Sequence, residues 1–342
     1  MQRMPDEKEL KEMLRAKASK EPEKYYAVDV LREEGFVRRQ CVSCGRFFWS
    51  VVERQRCDEP GCSGGFRFIG ASPAKAKLEF IEVWQTFSRL LEKRGYTPIR
   101  RYPVVARWRD DAYWVGASIY DFQPWVVAGV AQPPANPLIV PQFCLRFNDV
   151  DMVGLTGAHY SCFVMIGQHA FMAPERWDQT AYFRDIYAWL CEGLRLPKEE
   201  IIFHEDAWAG GGNLGPCMEF FSRGLELGNQ VYMAYESVPG GWRELGLKVL
   251  DMGMGQERNA WFSQGSPTSY DVVFADVCAK LRELAGLEHS PELLARFTPL
   301  APALNVESEK EREAAWALIA KALGLAAAEL RAKIEKIAAI YA

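Results

Sequence analysis

The 342-residue chain has no run of 18 apolar residues, so no membrane-spanning helix is expected. Its start, Met1-Gln-Arg-Met-Pro-Asp-Glu-Lys8, lacks the apolar stretch of a secretory signal. The nine cysteines are too scattered for a disulfide scaffold, and four of them fall in one metal-like spacing. Both points suit a reducing compartment, and the reading is a cytoplasmic protein without a membrane partner. No charge of one sign dominates: the formal net charge is −4, which speaks against a broad phosphate-binding surface. Arg94 with Arg100, Arg101, Arg107 and Arg109 makes a local basic stretch that reads equally as a solvated face beside an active site. There is no internal repeat and no low-complexity tract. What remains is a chain 49% apolar and 25% charged, enough for a substantial core in one large domain with small appendages, or in two domains.

Along the chain, residues 1–35 are charged and helix-forming and read as a short helical arm; 36–70 hold the clustered cysteines. Ser72-Pro73 opens a predicted helix, with Ser as cap and Pro in the first turn. Leu78, Ile81, Trp84, Phe87 and Leu91 recur on it at helical spacing, and Gly95 ends it. An extended segment follows from Ile99 to Val105. Between 112 and 275, β-rich runs alternate with Gly, Pro and Asn turns: Tyr113–Tyr120, Gln142–Phe147, His159–Met165, Cys217–Phe221, Gln230–Glu236 and Leu247–Asp251. The clearest helix between them lies at 178–194. This pattern is α+β with a mainly antiparallel sheet flanked by helices, not a regular βαβ series. From about 275 the chain is helical and rich in Ala, Leu, Glu and Lys, giving expected divisions of 1–35, 36–70, 71–275 and 276–342.

Cys41-x2-Cys44, twelve residues, then Cys57-x4-Cys62 sets four soft ligands in two close pairs. Zn²⁺ favours such a tetrahedral sulfur shell, and each pair can form a knuckle whose backbone donors stabilise the thiolates. Gly45 and Pro60-Gly61 supply the turns. A closed four-sulfur shell leaves no open coordination position, so the zinc-ribbon-like module reads as structural. Cys144, Cys162, Cys191, Cys217 and Cys278 read as core residues, and His169, His204 and His289 as structural histidines.

The stretch Asp251-Met-Gly-Met-Gly-Gln-Glu-Arg258 places glycines at alternate positions before a Glu-Arg pair. Such a backbone can lie close against something flat, and the arginine supplies a planar cation that stacks on a base or clamps a phosphate. Cys144-Leu-Arg146-Phe-Asn-Asp149 puts a second arginine where a strand should end, ahead of a polar loop. His159-x-x-x-Phe163 reads as the returning strand of that hairpin. Two arginines and a histidine on two such elements suit ATP, with charge spread over several phosphate oxygens.

These segments resemble motifs 2 and 3 of class II aminoacyl-tRNA synthetases, and specifically the catalytic core of the archaeal-type alanyl-tRNA synthetases. Tyr102-Pro-Val-Val-Ala-Arg-Trp-Arg-Asp-Asp111, Val115-Gly-Ala-Ser-Ile-Tyr-Asp-Phe-Gln-Pro-Trp125 and Gly210-Gly-Gly-Asn-Leu-Gly-Pro-Cys217 carry the same likeness, from Glu34 to Phe274. The resemblance implies the class II sheet, a cysteine module, and a motif 1 helix that serves either a dimer interface or the interior of one subunit. It implies that Arg146 holds the α-phosphate and the amino-acid carboxylate, neutralising charge as the carboxylate attacks. It further implies that Arg258 contacts adenine and γ-phosphate, that His159 reaches the outer phosphates, and that Asn148 and Asp149 lie near the nucleotide. Glu219 is the candidate Mg²⁺ ligand. Asp251 is expected to pair with the substrate ammonium, Trp208 to form one wall, Val231 to limit side-chain size, and Gly253 to leave room for a methyl group. Alanine is the first expected ligand, with glycine or serine next.

The chain departs from the family's pattern at Ala158, Val164, Ala234 and Gln256. It stops at Ala342, where the family continues into tRNA-reading, editing and oligomerisation parts, so tRNA binding is expected to be weak without them. Three readings result: activation of alanine with ATP and transfer to tRNA, with a separate C-terminal subunit supplying the tRNA-binding part; transfer of the activated amino acid to a carrier protein or small amine; or a silent alanine- or nucleotide-binding protein.

Overall fold

The computed structural model describes Arg3 and residues 5–342. Nine strands make its centre: β1 Val37–Gln40, β2 Phe47–Ser50, β3 Thr97–Pro98, β4 Leu138–Leu145, β5 Cys162–Met172, β6 Ile202–Gly210, β7 Asn213–Ser222, β8 Leu225–Val238 and β9 Gly241–Gly255. They form one sheet in the order β1-β2-β6-β7-β8-β9-β5-β4-β3. All neighbours run antiparallel except β3 and β4. The fold is therefore α+β, as the sequence pattern predicts.

Local chemistry builds the meander. Gly211 and Gly212, at φ +57° and +79°, close the two-residue turn between β6 and β7, a conformation that a side chain would strain. Alternation along the strands then sorts the faces. On β9, Leu250, Met252 and Met254 join the large core, together with Val83, Phe87 and Leu91 of the helix Phe80–Glu92 and Trp261 of the helix Gln256–Gln264. Asp251, Gly253 and Gly255 fall on the opposite face. The helix Glu7–Ala18, with a capping box of Asp6 and Glu9, lays Leu10 and Leu14 against Ala207 and Leu214 of β6 and β7. The helices Pro291–Phe297, Glu309–Leu323 and Ala327–Tyr341 bury a core of their own around Phe297 and Trp316. Tyr341 also stacks on Tyr270 with centroids 4.7 Å apart. Among the described residues, no helix is long and apolar enough to cross a membrane.

Several local expectations change. The helix expected from Ser72 begins only at Phe80, with Glu79 as its cap, because Leu78 is held by Ser263: its N–H donates to the Ser263 hydroxyl at 3.0 Å. The run Tyr113–Tyr120 is not a strand. It makes one bridge, Val105 to Trp114, and a tight turn at Ser118–Asp121. Tyr113 and Trp114 are exposed and bury no face that would reward pairing. His159 stands in the loop before β5, and Ile202–Gly210 is a strand that the sequence pattern does not mark. Of the five arginines, Arg94, Arg107 and Arg109 are engaged by neighbours. Arg94 pairs with Asp185 and Glu192, Arg109 with Asp111, and Arg107 lies over the rings of Tyr102 and Trp108.

Candidate active site

A cleft of about 280 Å³ opens on the sheet face that carries Asp251, Gly253 and Gly255. Arg146, Asn148, Asp149, His159, Trp208, Asp251, Gly253 and Arg258 all line it, so one site gathers residues spread over more than a hundred positions. Val231 is buried directly across from Asp251 in the β8–β9 pairing, behind the lining.

Around Asp251 the groups suit an ammonium and a small side chain. Asp251 is buried, and burial lifts its carboxyl to about 7. Opposite it in register on β5 stands His169, whose Nδ1 is 3.5 Å from Asp251 Oδ1. A β-carbon at Gly253 would come 2.9 Å from the Met165 sulfur, so that glycine sets the width of the cleft. A β-carbon at Gly210 would meet the Trp208 ring at 2.5 Å; the bare glycine lets that ring lie where it does.

At the other end the groups suit phosphates. Arg146 donates its Nε–H to the Gly116 carbonyl at 2.7 Å and lies 5.2 Å from the Phe163 ring centroid. His159 Nδ1 is 2.6 Å from the Thr156 hydroxyl. Burial, and then the neighbouring Arg258, lower its pKa to about 4, so the ring is neutral near pH 7. Tyr270 fixes this loop: its hydroxyl donates to the His159 carbonyl at 2.7 Å and accepts from the Gly154 N–H at 2.8 Å. Arg258 pairs with Glu226 at 3.1 Å.

Glu226 and Asn229 are lining residues that the sequence reading missed. Three apart, they would face opposite ways on a regular strand. The β7–β8 register slips between Phe220–Gly228 and Phe221–Glu226, and this bulge turns both side chains to the cleft, with Asn229 Nδ2 3.3 Å from Glu226 Oε1. Glu219 is not among the lining residues; it sits beside His204 and Glu59. The lining carboxylate that pairs with Arg258 is Glu226. Glu257 was also missed: it lines the cleft, accepts the Val164 N–H at 2.8 Å, and burial raises it to about 7.

The four cysteines meet beneath β6. All four sulfurs lie within 4.8 Å of one another, and three of the residues are buried. Cys41 and Cys44 flank the turn after β1, where the Cys41 N–H donates to the Arg46 carbonyl and the Gly45 N–H returns to the Cys41 carbonyl, both at 2.9 Å. Burial opposes ionisation of Cys41, yet backbone donors of Cys57, Cys44 and Ser43 outweigh it and hold this thiol below its usual range. Soft thiolates at this spacing fit Zn²⁺.

Residues 82–295 match the family of class II (A) tRNA synthetases. The chain belongs to that family. Among curated relatives of this synthetase chain, the alanine–tRNA ligase of Methanocella arvoryzae is 49% identical over 98% of this chain and 39% of its own. That of Cenarchaeum symbiosum is 45% identical over 86% and 33%, and that of Methanothermobacter thermautotrophicus 41% identical over 91% and 35%. The synthetase chain thus spans between a third and two fifths of the length of these relatives. A solved pyrrolysyl-tRNA synthetase from Desulfitobacterium hafniense aligns over 57% of this chain and 73% of its own, with 13% identity and a TM-score of 0.39.

Proposed function

We propose that this chain activates alanine with ATP, forming alanyl-adenylate and releasing pyrophosphate, as the activating part of an alanine–tRNA ligase. One observation carries the reading: a buried acid, Asp251, faces a cleft whose width Gly253 and Met165 limit, and two arginines, Arg146 and Arg258, line that same cleft. A small amino acid and a polyphosphate fit that arrangement together.

In this reading Asp251 accepts hydrogen bonds from the substrate ammonium, which fixes the amino acid and aims its carboxylate at the α-phosphorus. Trp208 and Val231 close the side-chain end. Arg146 neutralises charge on the α-phosphate as the carboxylate oxygen attacks and pyrophosphate leaves, and Arg258, with Asn148, Asp149 and neutral His159, binds the nucleotide and its outer phosphates. Glu226 and Asn229 offer the hard oxygen donors that Mg²⁺ needs beside those phosphates, and that ion would spread the negative charge of the leaving group. Cys41, Cys44, Cys57 and Cys62 would hold one structural Zn²⁺. The three relatives are alanine–tRNA ligases, which supports tRNA as the acceptor over a carrier protein.

Amino-acid-dependent exchange of pyrophosphate into ATP tests the proposal. Alanine is expected to give the highest rate, with glycine and serine measurable because a methyl-sized difference discriminates by only about 1–3 kcal/mol. Absence of exchange with every amino acid overturns it. Loss of one zinc per chain in the Cys41→Ser, Cys44→Ser double variant checks the metal.

A further inference from the structure

One row of cross-strand partners runs from the cleft to the cysteine module: Gly253, Asn229, Glu219, His204 and Phe48 stand opposite one another on β9, β8, β7, β6 and β2. Direct partners share a face of the sheet, so Glu219 and His204 project on the same side. Glu59, from the segment between Cys57 and Cys62, comes down on them. The ligand atoms of Glu59, His204 and Glu219 lie within 4.8 Å of one another, and His204 Nδ1 is 3.8 Å from Glu219 Oε2.

These groups are poorly satisfied by the protein. The His204 side chain is 1% exposed, yet neither ring nitrogen has a hydrogen-bond partner among the described residues, and neither has Glu219 Oε2. The nearby cations reach only part of the cluster: Arg46 lies 3.3 Å from Glu59, while Lys11 is held 2.8 Å from Asp206. A buried imidazole with neither nitrogen partnered is costly, and beside two carboxylates a metal cation satisfies the ring and the acids together. Burial, with Glu226 and Asp206 adding repulsion, pushes the Glu219 carboxyl well above its ordinary range.

We propose that Glu59, His204 and Glu219 form a second divalent-cation site, separate from the four-thiol cluster and from the nucleotide cleft. One imidazole and two carboxylates suit Zn²⁺, with water free to complete the shell, and suit Mg²⁺ poorly because Mg²⁺ prefers an all-oxygen octahedron. The ion would tie the Cys57–Cys62 segment to β6 and β7 through Glu59, next to the row that leads to Asn229.

Zinc counting on the whole chain decides this. The nucleotide-free protein is saturated with Zn²⁺, freed of excess by gel filtration, and assayed for metal. Two zinc ions per chain are expected for the wild type. One is expected for Glu219→Gln, for His204→Gln, and separately for the Cys41→Ser, Cys44→Ser double variant; two are expected for Glu226→Gln. Thermal melts confirm that each variant is folded, and Glu219→Gln, being isosteric, covers the case in which His204→Gln is not. A wild-type count of one overturns the site. A second ion that survives both His204→Gln and Glu219→Gln, or that disappears in Glu226→Gln, overturns it equally.

Discussion

His169 Nδ1 lies 3.5 Å from the Asp251 carboxylate while its Nε2 lies 3.0 Å from the Ser118 hydroxyl, so the acid of the cleft is backed by a histidine that is itself held. Burial holds the His169 pKa at about 3, which keeps the ring neutral, and lifts the Asp251 carboxyl to about 7. Only the ionised acid attracts an ammonium strongly. The sign follows: alanine binding strengthens as pH rises through about 7. The KM for alanine is expected to grow toward tenfold per pH unit below that point, with the KM for ATP nearly unmoved. A flat alanine KM between pH 6 and 8 contradicts this account of Asp251.

The same acid opposes stability. A carboxyl raised from about 4 in the unfolded chain to about 7 when folded contributes stability that is fully present below the unfolded value and lost as pH rises through the folded one. Asp251→Asn removes that dependence. The variant is expected to gain on the wild type by up to roughly 1.4 kcal/mol per pH unit between those values, while its alanine affinity falls on the order of a hundredfold. Urea unfolding at pH 5 and pH 8, beside calorimetry with alanine, measures both. A variant that is less stable than the wild type at pH 8 would count against burial as the cause.

Width is testable at Gly253. In Gly253→Ala the new β-carbon meets the sulfur of Met165, another lining residue, at 2.9 Å, so that flexible side chain must shift and the methyl itself takes space from the cleft. Alanine activation is expected to fall by about 10- to 200-fold relative to glycine, the range for one methyl-sized difference. An unchanged alanine-to-glycine ratio of kcat/KM would show that Gly253 does not shape the amino-acid end.

Much of this was legible because the chemistry sits in short unusual strings. Arg146, Asp251, Gly253 and Arg258 are each marked by neighbours whose spacing has a physical reason, and the α+β character follows from alternating runs between turns. The misses have physical causes too. β6 carries His204, Glu205 and Asp206, types that strands usually lack, and hides its alternation because six successive residues are buried. It tolerates them because Glu205 is met by Arg38 at 2.6 Å and Trp49 at 2.8 Å, and Asp206 by Lys11. Partners so distant in sequence leave no local pattern. Glu226 was overlooked for a related reason: a one-residue bulge, set by the neighbouring strand, decides which way it faces.

Glu226 sits 3.1 Å from Arg258 and within hydrogen-bond reach of Asn229, so in the proposed reaction it has two tasks: it would hold the arginine that lines the cleft and offer an oxygen to the cation that accompanies the phosphates. Glu226→Gln keeps the shape and an oxygen for the Asn229 amide but removes the charge. An amide oxygen is a weaker Mg²⁺ donor than a carboxylate, and Arg258 loses the partner that fixes it. The Mg²⁺ concentration needed for half-maximal exchange is expected to rise about tenfold or more, with a parallel rise in the KM for ATP. Alanine binding in the absence of nucleotide should stay within about twofold of wild type, because Asp251 and Gly253 are untouched. The two measurements separate a local charge effect from a collapsed site: if alanine affinity falls as much as the Mg²⁺ requirement rises, Glu226 shapes the whole cleft and is not the cation's ligand.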